Sequence, residues 1–198
     1  MFGSIGRVIL ILPMPVMIAL LRAVNLAGRN QIRMDELRAL CESLGLRDVQ
    51  TYIQSGNVIF SSPARDAGRL SRRIEDAIER SFAFRPKVIV RSPDELRSVI
   101  ARNPFAGRTG IDPRKLAVTF LAAEPGPEAR NKLHGLKTDP EELRLDGRHL
   151  YVYFPDGMER SKLSAAPIEK ALNTAGTARN WNTVTKLLQL AEALESAR

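Results

Sequence analysis

The stretch Leu20-Leu21-Arg22-Ala23-Val24-Asn25-Leu26-Ala27-Gly28-Arg29-Asn30, followed by Thr51-Tyr52-Ile53-Gln54-Ser55-Gly56-Asn57-Val58, decides the reading of this chain. Each segment starts apolar and runs into a polar island. Val16 to Leu21 is apolar at every position and reads as a strand covered on both faces, and Val49 to Ile53 reads as a second strand. Between them Met34, Leu37, Leu40, Cys41 and Leu44 recur at helical spacing, with Gly45 as a C-terminal cap. Ser55-Gly56 reads as a tight hairpin turn into a third strand at Val58 to Phe60, glycine taking the positive-φ position.

Working outward, Leu70, Ile74, Ala77, Ile78 and Phe82 mark a second amphipathic helix, and Lys87 to Val90 a fourth strand. Residues 16–91 therefore spell β-α-β-β-α-β, the ferredoxin-like order. A short helix follows at Pro93 to Ala101, with Ser92 and Glu95 as a capping box. The Gly- and Pro-containing stretch 102–112 reads as a connector. Beyond it come a strand at Leu116 to Leu121, a helix at Pro127 to Leu133, a hairpin of Glu142 to Leu145 with His149 to Phe154, and a helix at Ser164 to Ala175. That is β-α-β-β-α again, a second ferredoxin-like half with no obvious last strand. Thr177 to Thr183 reads as a polar tail capped by Asn182 or Thr183 and anchored by Trp181, before a C-terminal helix whose apolar face carries Val184, Leu187, Leu188, Ala191 and Leu194.

The expected fold is thus α+β: two ferredoxin-like halves packed together, 14–101 and 113–198, joined by the connector 102–112 and closed by a C-terminal helix. Residues 1–13 read as an extension outside the fold. The prolines at 13 and 15 interrupt the apolar run near the N-terminus, so neither a membrane helix nor a signal peptide fits well, and a cytoplasmic setting is expected.

With 30 Lys and Arg against 22 Asp and Glu, the formal charge is +8. Such a balance favours anionic partners, although a biased use of arginine accounts for it equally. Cys41 sits on the buried stripe of its helix and reads as a small core hydrophobe. His134 and His149 stand apart and no Cys/His cluster has zinc spacing, so a metal site is not expected; no cofactor is indicated. No nucleophile elbow, Walker loop or dinucleotide fingerprint occurs, and no carboxylate falls inside the polar islands, so no catalytic residue is named. An open RNA-binding sheet is disfavoured, because the first strand is apolar on both faces and offers no row of aromatics.

Three segments, Leu20 to Gly28, Thr51 to Val58 and Arg179-Asn180-Trp181-Asn182-Thr183, resemble the bacterial family catalogued as domain of unknown function 1697. The resemblance runs from about Val16 to Leu190 and implies two ferredoxin-like parts; it implies no activity. The family pattern LLRGINVGG carries glycines where this chain has Ala23 and Ala27, which adds two methyl groups to the loop.

In a sheet of order 4-1-3-2, the exits of the first and second strands and the start of the third share one edge. Arg22, Asn25, Gln54, Ser55 and Asn57 are therefore expected to form one polar cluster, with Gly28, Asn30 and Gly56 shaping its loops and Arg179, Asn180 and Trp181 folding back onto it. The leading functional expectation is a binding module for an anionic small molecule or nucleic acid at this cluster. The alternatives are a structural or protein-partner-binding role and an enzyme with an arginine clamp. If Arg22 or Arg179 holds a phosphate, alanine there should weaken binding and leave stability within about 1 kcal/mol. Equal losses of both would instead mark a hydrogen-bonded network that staples the tail to the sheet.

Overall fold

In the computed structural model of the protein, residues 14–197 are described, so the expected extension at 1–13 lies outside them. The first half contains β1 (Val16–Leu21), α1 (Met34–Ser43), β2 (Arg47–Tyr52), β3 (Asn57–Ser61), α2 (Ala67–Phe82) and β4 (Val88–Arg91), and its strands pair antiparallel in the order β2-β3-β1-β4. After α3 (Pro93–Ala101), the second half contains β5 (Leu116–Leu121), α4 (Pro127–His134), β6 (Glu142–Asp146), β7 (His149–Tyr153), α5 (Ala165–Leu172) and β8 (Gly176–Asn180), in the order β6-β7-β5-β8. α6 (Trp181–Ser196) is the last element among the described residues. Both sheets have the ferredoxin-like order expected from the sequence.

The apolar run of β1 is explained by its two neighbours. Met17, Ala19 and Leu21 face α1 and α2, sharing a core with Leu37, Leu70, Ile74 and Ile78. Val16, Ile18 and Leu20 face the opposite way, into a central core with Leu96 and Val99 of α3, Val184 and Leu187 of α6, and Val118 and Phe120 of the second sheet. A third core, with Leu121, Val152, Ile168 and Leu172, lies under α4 and α5. The order of layers is α1/α2, first sheet, α3 and α6, second sheet, α4/α5. Neither sheet leaves an open face.

Two expectations for the tail are corrected. The second half does have its last strand: β8 pairs with β5 from Ala117↔Asn180 to Leu121↔Gly176. Its inward positions carry Gly176, Thr177 and Arg179 instead of aliphatic residues, so the alternation that normally betrays a half-buried strand was absent. The helix after it starts at Trp181, capped by Asn180, whose Oδ1 accepts from Asn182 N at 2.9 Å, and not by Asn182 or Thr183. β2 likewise ends at Tyr52, because Ile53 has a left-handed backbone with φ 51°.

Candidate functional site

The end of β1, the β2–β3 turn and β8 converge on one guanidinium. Arg179, 6% exposed, donates from Nε to Asn57 Oδ1 at 2.5 Å and from Nη1 to Thr177 Oγ1 and Ala178 O, both at 2.8 Å. Its Nη2 reaches the backbone oxygens of Leu21 at 2.8 Å, Ser55 at 3.1 Å and Gly56 at 3.3 Å. No carboxylate pairs with it among the described residues. Burial pulls its pKa down to about 10, which still leaves it protonated at neutral pH. The charge is held by carbonyl dipoles from both halves, since Leu21, Ser55 and Gly56 belong to the first and Ala178 to the second.

Asn57 is fully buried and completes the turn, its Nδ2 donating to Tyr52 O at 2.9 Å and to Ser55 Oγ at 3.0 Å. Asn25 does the same work for the other loop. Its Nδ2 donates to Ile32 O and Gln54 O, both at 2.9 Å, and its Oδ1 accepts from Ile32 N at 2.8 Å. One side chain thereby closes the 25–32 loop and ties it to the 53–56 turn. Asn30 Nδ2 donates to Ala23 O at 3.0 Å, and Leu26 and Arg29 form an isolated β-bridge around Ala27 and Gly28.

Ala23 and Ala27 have φ of 54° and 48°, so the two positions where the family pattern carries glycine are positions of left-handed backbone. The pattern thus has a steric cause: a Cβ there is strained and glycine is not. The extra methyl groups of this chain project from an exposed loop.

The cluster expected from topology is therefore present in Asn25, Gln54, Ser55, Asn57 and Arg179. Arg22 belongs to a different contact, an ion pair of its Nη1 with Glu169 of α5 at 2.7 Å. Asn180 turns away as the α6 cap and donates to Arg114 O at 2.8 Å, while Trp181 packs half-buried against the central core. Sequence reasoning missed Thr177 and Glu169, which become legible only once β8 and α5 are placed beside the first half. It also missed the surface of the site. Leu26 at 65% and Ile53 at 49% exposure are two of the three exposed large hydrophobics among the described residues, the third being Met158.

A family model matches residues 14–151, which is more than half of the chain. The chain belongs to the family of proteins of unknown function designated DUF1697. The matched residues include both loops of the cluster, while Arg179 lies beyond them. A solved structure, that of a conserved bacterial protein from Streptococcus pneumoniae, is similar with a TM-score of 0.65 and 22% identity, over 90% of this chain and 99% of that one. At that identity the likeness carries the fold alone. No curated protein matches the sequence.

No helix among the described residues is long and apolar enough to cross a membrane, and no three His, Cys, Asp or Glu side chains among them gather as a metal site. Burial pushes the Cys41 thiol up to about 12, too high for a thiolate nucleophile at neutral pH. His149 is the informative titratable group. Its Nε2 is buried without a hydrogen bond, its ring meets Phe120 edge-on at 5.5 Å, and burial together with Arg91, Arg148 and Arg102 lowers its pKa to about 4. An unfolded chain would take up a proton near pH 6.5 that the folded one refuses, so stability should fall as pH drops from about 6.5 to 4 and level off below. Allowing for partial exposure, the loss is about 2 kcal/mol. Urea unfolding at pH 7 and pH 4.5 should show that loss in the wild type and a smaller one in His149→Phe.

Proposed function

We propose that the protein is a binding module that engages a protein partner through the coupled loops 22–33 and 53–56. The observation that supports this most is the pair of exposed aliphatic side chains, Leu26 and Ile53, on loops that Asn25 locks together. Ile53 is the sharper of the two. A β-branched residue in the left-handed region is an outlier that costs about 1–3 kcal/mol, and such strain persists at sites where the side chain has a use. Its side chain is half exposed, so burial does not explain its retention.

Arg29 stands exposed beside Leu26, with no ion pair among the described residues, and suits an acidic group on the partner. Asn30, Gln54 and Ser55 offer polar groups around the aliphatic pair, and Gly28 shapes the loop between Leu26 and Arg29. Arg22, Gly56, Asn57 and Arg179 hold the platform from behind. An arginine clamp for a nucleotide or phosphate, catalytic or not, has less support at these loops, because Arg179 is spent on carbonyls and Arg22 on Glu169.

The double variant Leu26→Asp, Ile53→Asn separates contact from support. Asparagine tolerates the left-handed backbone, so the single change Ile53→Asn should raise stability by about 1 kcal/mol in urea unfolding. Partners captured by the wild-type protein should be lost by the double variant. Retention of the same partners by the double variant, or destabilisation by Ile53→Asn, would show that the aliphatic pair is not a contact surface.

A further inference from the structure

A second concave surface lies away from these loops, where the start of α2 meets the β4 edge and the second half. It is a groove of about 240 Å³ whose lining includes Gly68, Ser71 and Arg72 of α2, Lys87 and Arg91 of the β4 segment, and Arg148 of the β6–β7 turn. Four of those six side chains are cationic, and no carboxylate lines the groove.

The nearby acids are already shared. Glu95 Oε2 accepts from Ser92 N at 2.8 Å as the α3 capping box, and its Oε1 accepts from Arg148 Nη2 at 2.7 Å. The same Oε1 is 3.6 Å from Arg91 Nε, beyond hydrogen-bonding reach. Glu75, behind the groove, holds Val88 N at 2.9 Å, Lys87 at 3.2 Å and Arg85 at 3.4 Å. Arg85 also has Asp76 and Glu79, so of the groove's four cations Lys87 shares Glu75, Arg91 and Arg148 share Glu95, and the Arg72 side chain has no hydrogen bond or ion pair among the described residues.

Arg91 gives the second, independent observation. It is 3% exposed, its Nη1 and Nη2 donate to Val90 O at 3.0 Å and Leu121 O at 2.6 Å, and its Nε has no hydrogen-bond partner. A buried guanidinium N–H without an acceptor is costly, and a like charge from Arg148 beside it adds to the cost. Arg179, by contrast, uses its Nε as well. A buried cation that spends two of its five N–H donors, on the wall of a groove lined by three further cations, is an arrangement that an anionic ligand would complete. The first turn of α2 supports this, for it contains no acidic residue and has Gly68 facing the groove, although the Asp66 carboxylate already caps Arg69 N at 2.9 Å.

We propose that this groove is a binding site for a small phosphate-bearing molecule, held by Arg72, Lys87, Arg91 and Arg148 between the two halves. The volume admits a phosphate with a short carbon skeleton and is below the range of about 300–1,000 Å³ usual for larger ligands, so a whole nucleotide does not fit inside. Since the cations come from both halves, occupancy would tighten the seam between them. The site is independent of the loop platform.

The test is titration of the full chain with inorganic phosphate at low ionic strength, against chloride at matched ionic strength, read by thermal shift and by the Nε–H resonance of Arg91. Saturable stabilisation with one site per chain is expected, together with movement of the Arg91 resonance. Arg72→Ala, an exposed and unpaired side chain whose loss should leave the fold intact, is expected to weaken phosphate binding about tenfold. The double variant Leu26→Asp, Ile53→Asn should bind phosphate as the wild type does, so failure at the loops and failure at the groove are distinguishable. Stabilisation that does not saturate, that is equal in Arg72→Ala, or that leaves the Arg91 resonance unmoved would overturn the assignment.

Discussion

Replacing Arg179 by alanine is expected to destabilise the protein by about 2–4 kcal/mol, from the loss of several charge-assisted hydrogen bonds and the cavity left behind. The substitution leaves the buried Asn57 Oδ1 without its donor and strips one hydrogen bond each from the carbonyls of Leu21, Ser55 and Gly56. Lysine should rescue little, because a single ammonium with three donors cannot span acceptors that a planar five-donor fork reaches. Urea unfolding monitored by far-UV circular dichroism gives the number directly. A loss below about 1 kcal/mol, the expectation for a surface arginine, would mean that the guanidinium is not a staple between the halves.

The second large effect is at Gly56. Its φ is 72°, and a Cβ placed there would stand 2.8 Å from Leu21 Cβ and 3.4 Å from Val24 Cβ. Leu21 Cβ cannot rotate away, since it is fixed by the β1 backbone, whose N–H at Leu21 donates to Gly56 O at 2.8 Å. Gly56→Ala therefore combines left-handed strain with overpacking, for about 3 kcal/mol. An alanine at Gly28, where the loop backbone is left-handed but nothing lies within 4 Å, should cost only the strain, about 1 kcal/mol. Comparing the two by urea unfolding separates conformation from contact, and equal losses would remove the role given to Leu21.

Much of this architecture was legible because it is built from apolar repetition. Val16 to Leu21 announces a strand covered on both faces, and the Gly56 turn announces the hairpin. The polar cluster followed from topology, since strand order places Gln54 and Asn57 at the edge where β1 ends. β8 was not legible, for its inward positions are occupied by Thr177 and Arg179, and a strand that buries a guanidinium looks like a loop when only hydrophobic alternation is read. Residue type was also silent on direction. Arg22 and Arg179 look equivalent as candidate anion ligands, yet one pairs with Glu169 and the other is consumed by four oxygens outside its own strand and two within it. The groove was missed because its cations, at 72, 87, 91 and 148, are far apart in the chain and carry no motif spacing.

The central claim is that Arg179 is an internal staple between the halves, on which the loop platform rests. Its side-chain Nε–H resonance in a nitrogen-15-labelled sample, followed by hydrogen exchange at pH 7, tests this most directly. A resolved Arg179 signal that exchanges only as slowly as the core amides of β1 and β3, and does not move on addition of inorganic phosphate, is the predicted result; rapid exchange with solvent, or a shift on phosphate addition, would contradict it.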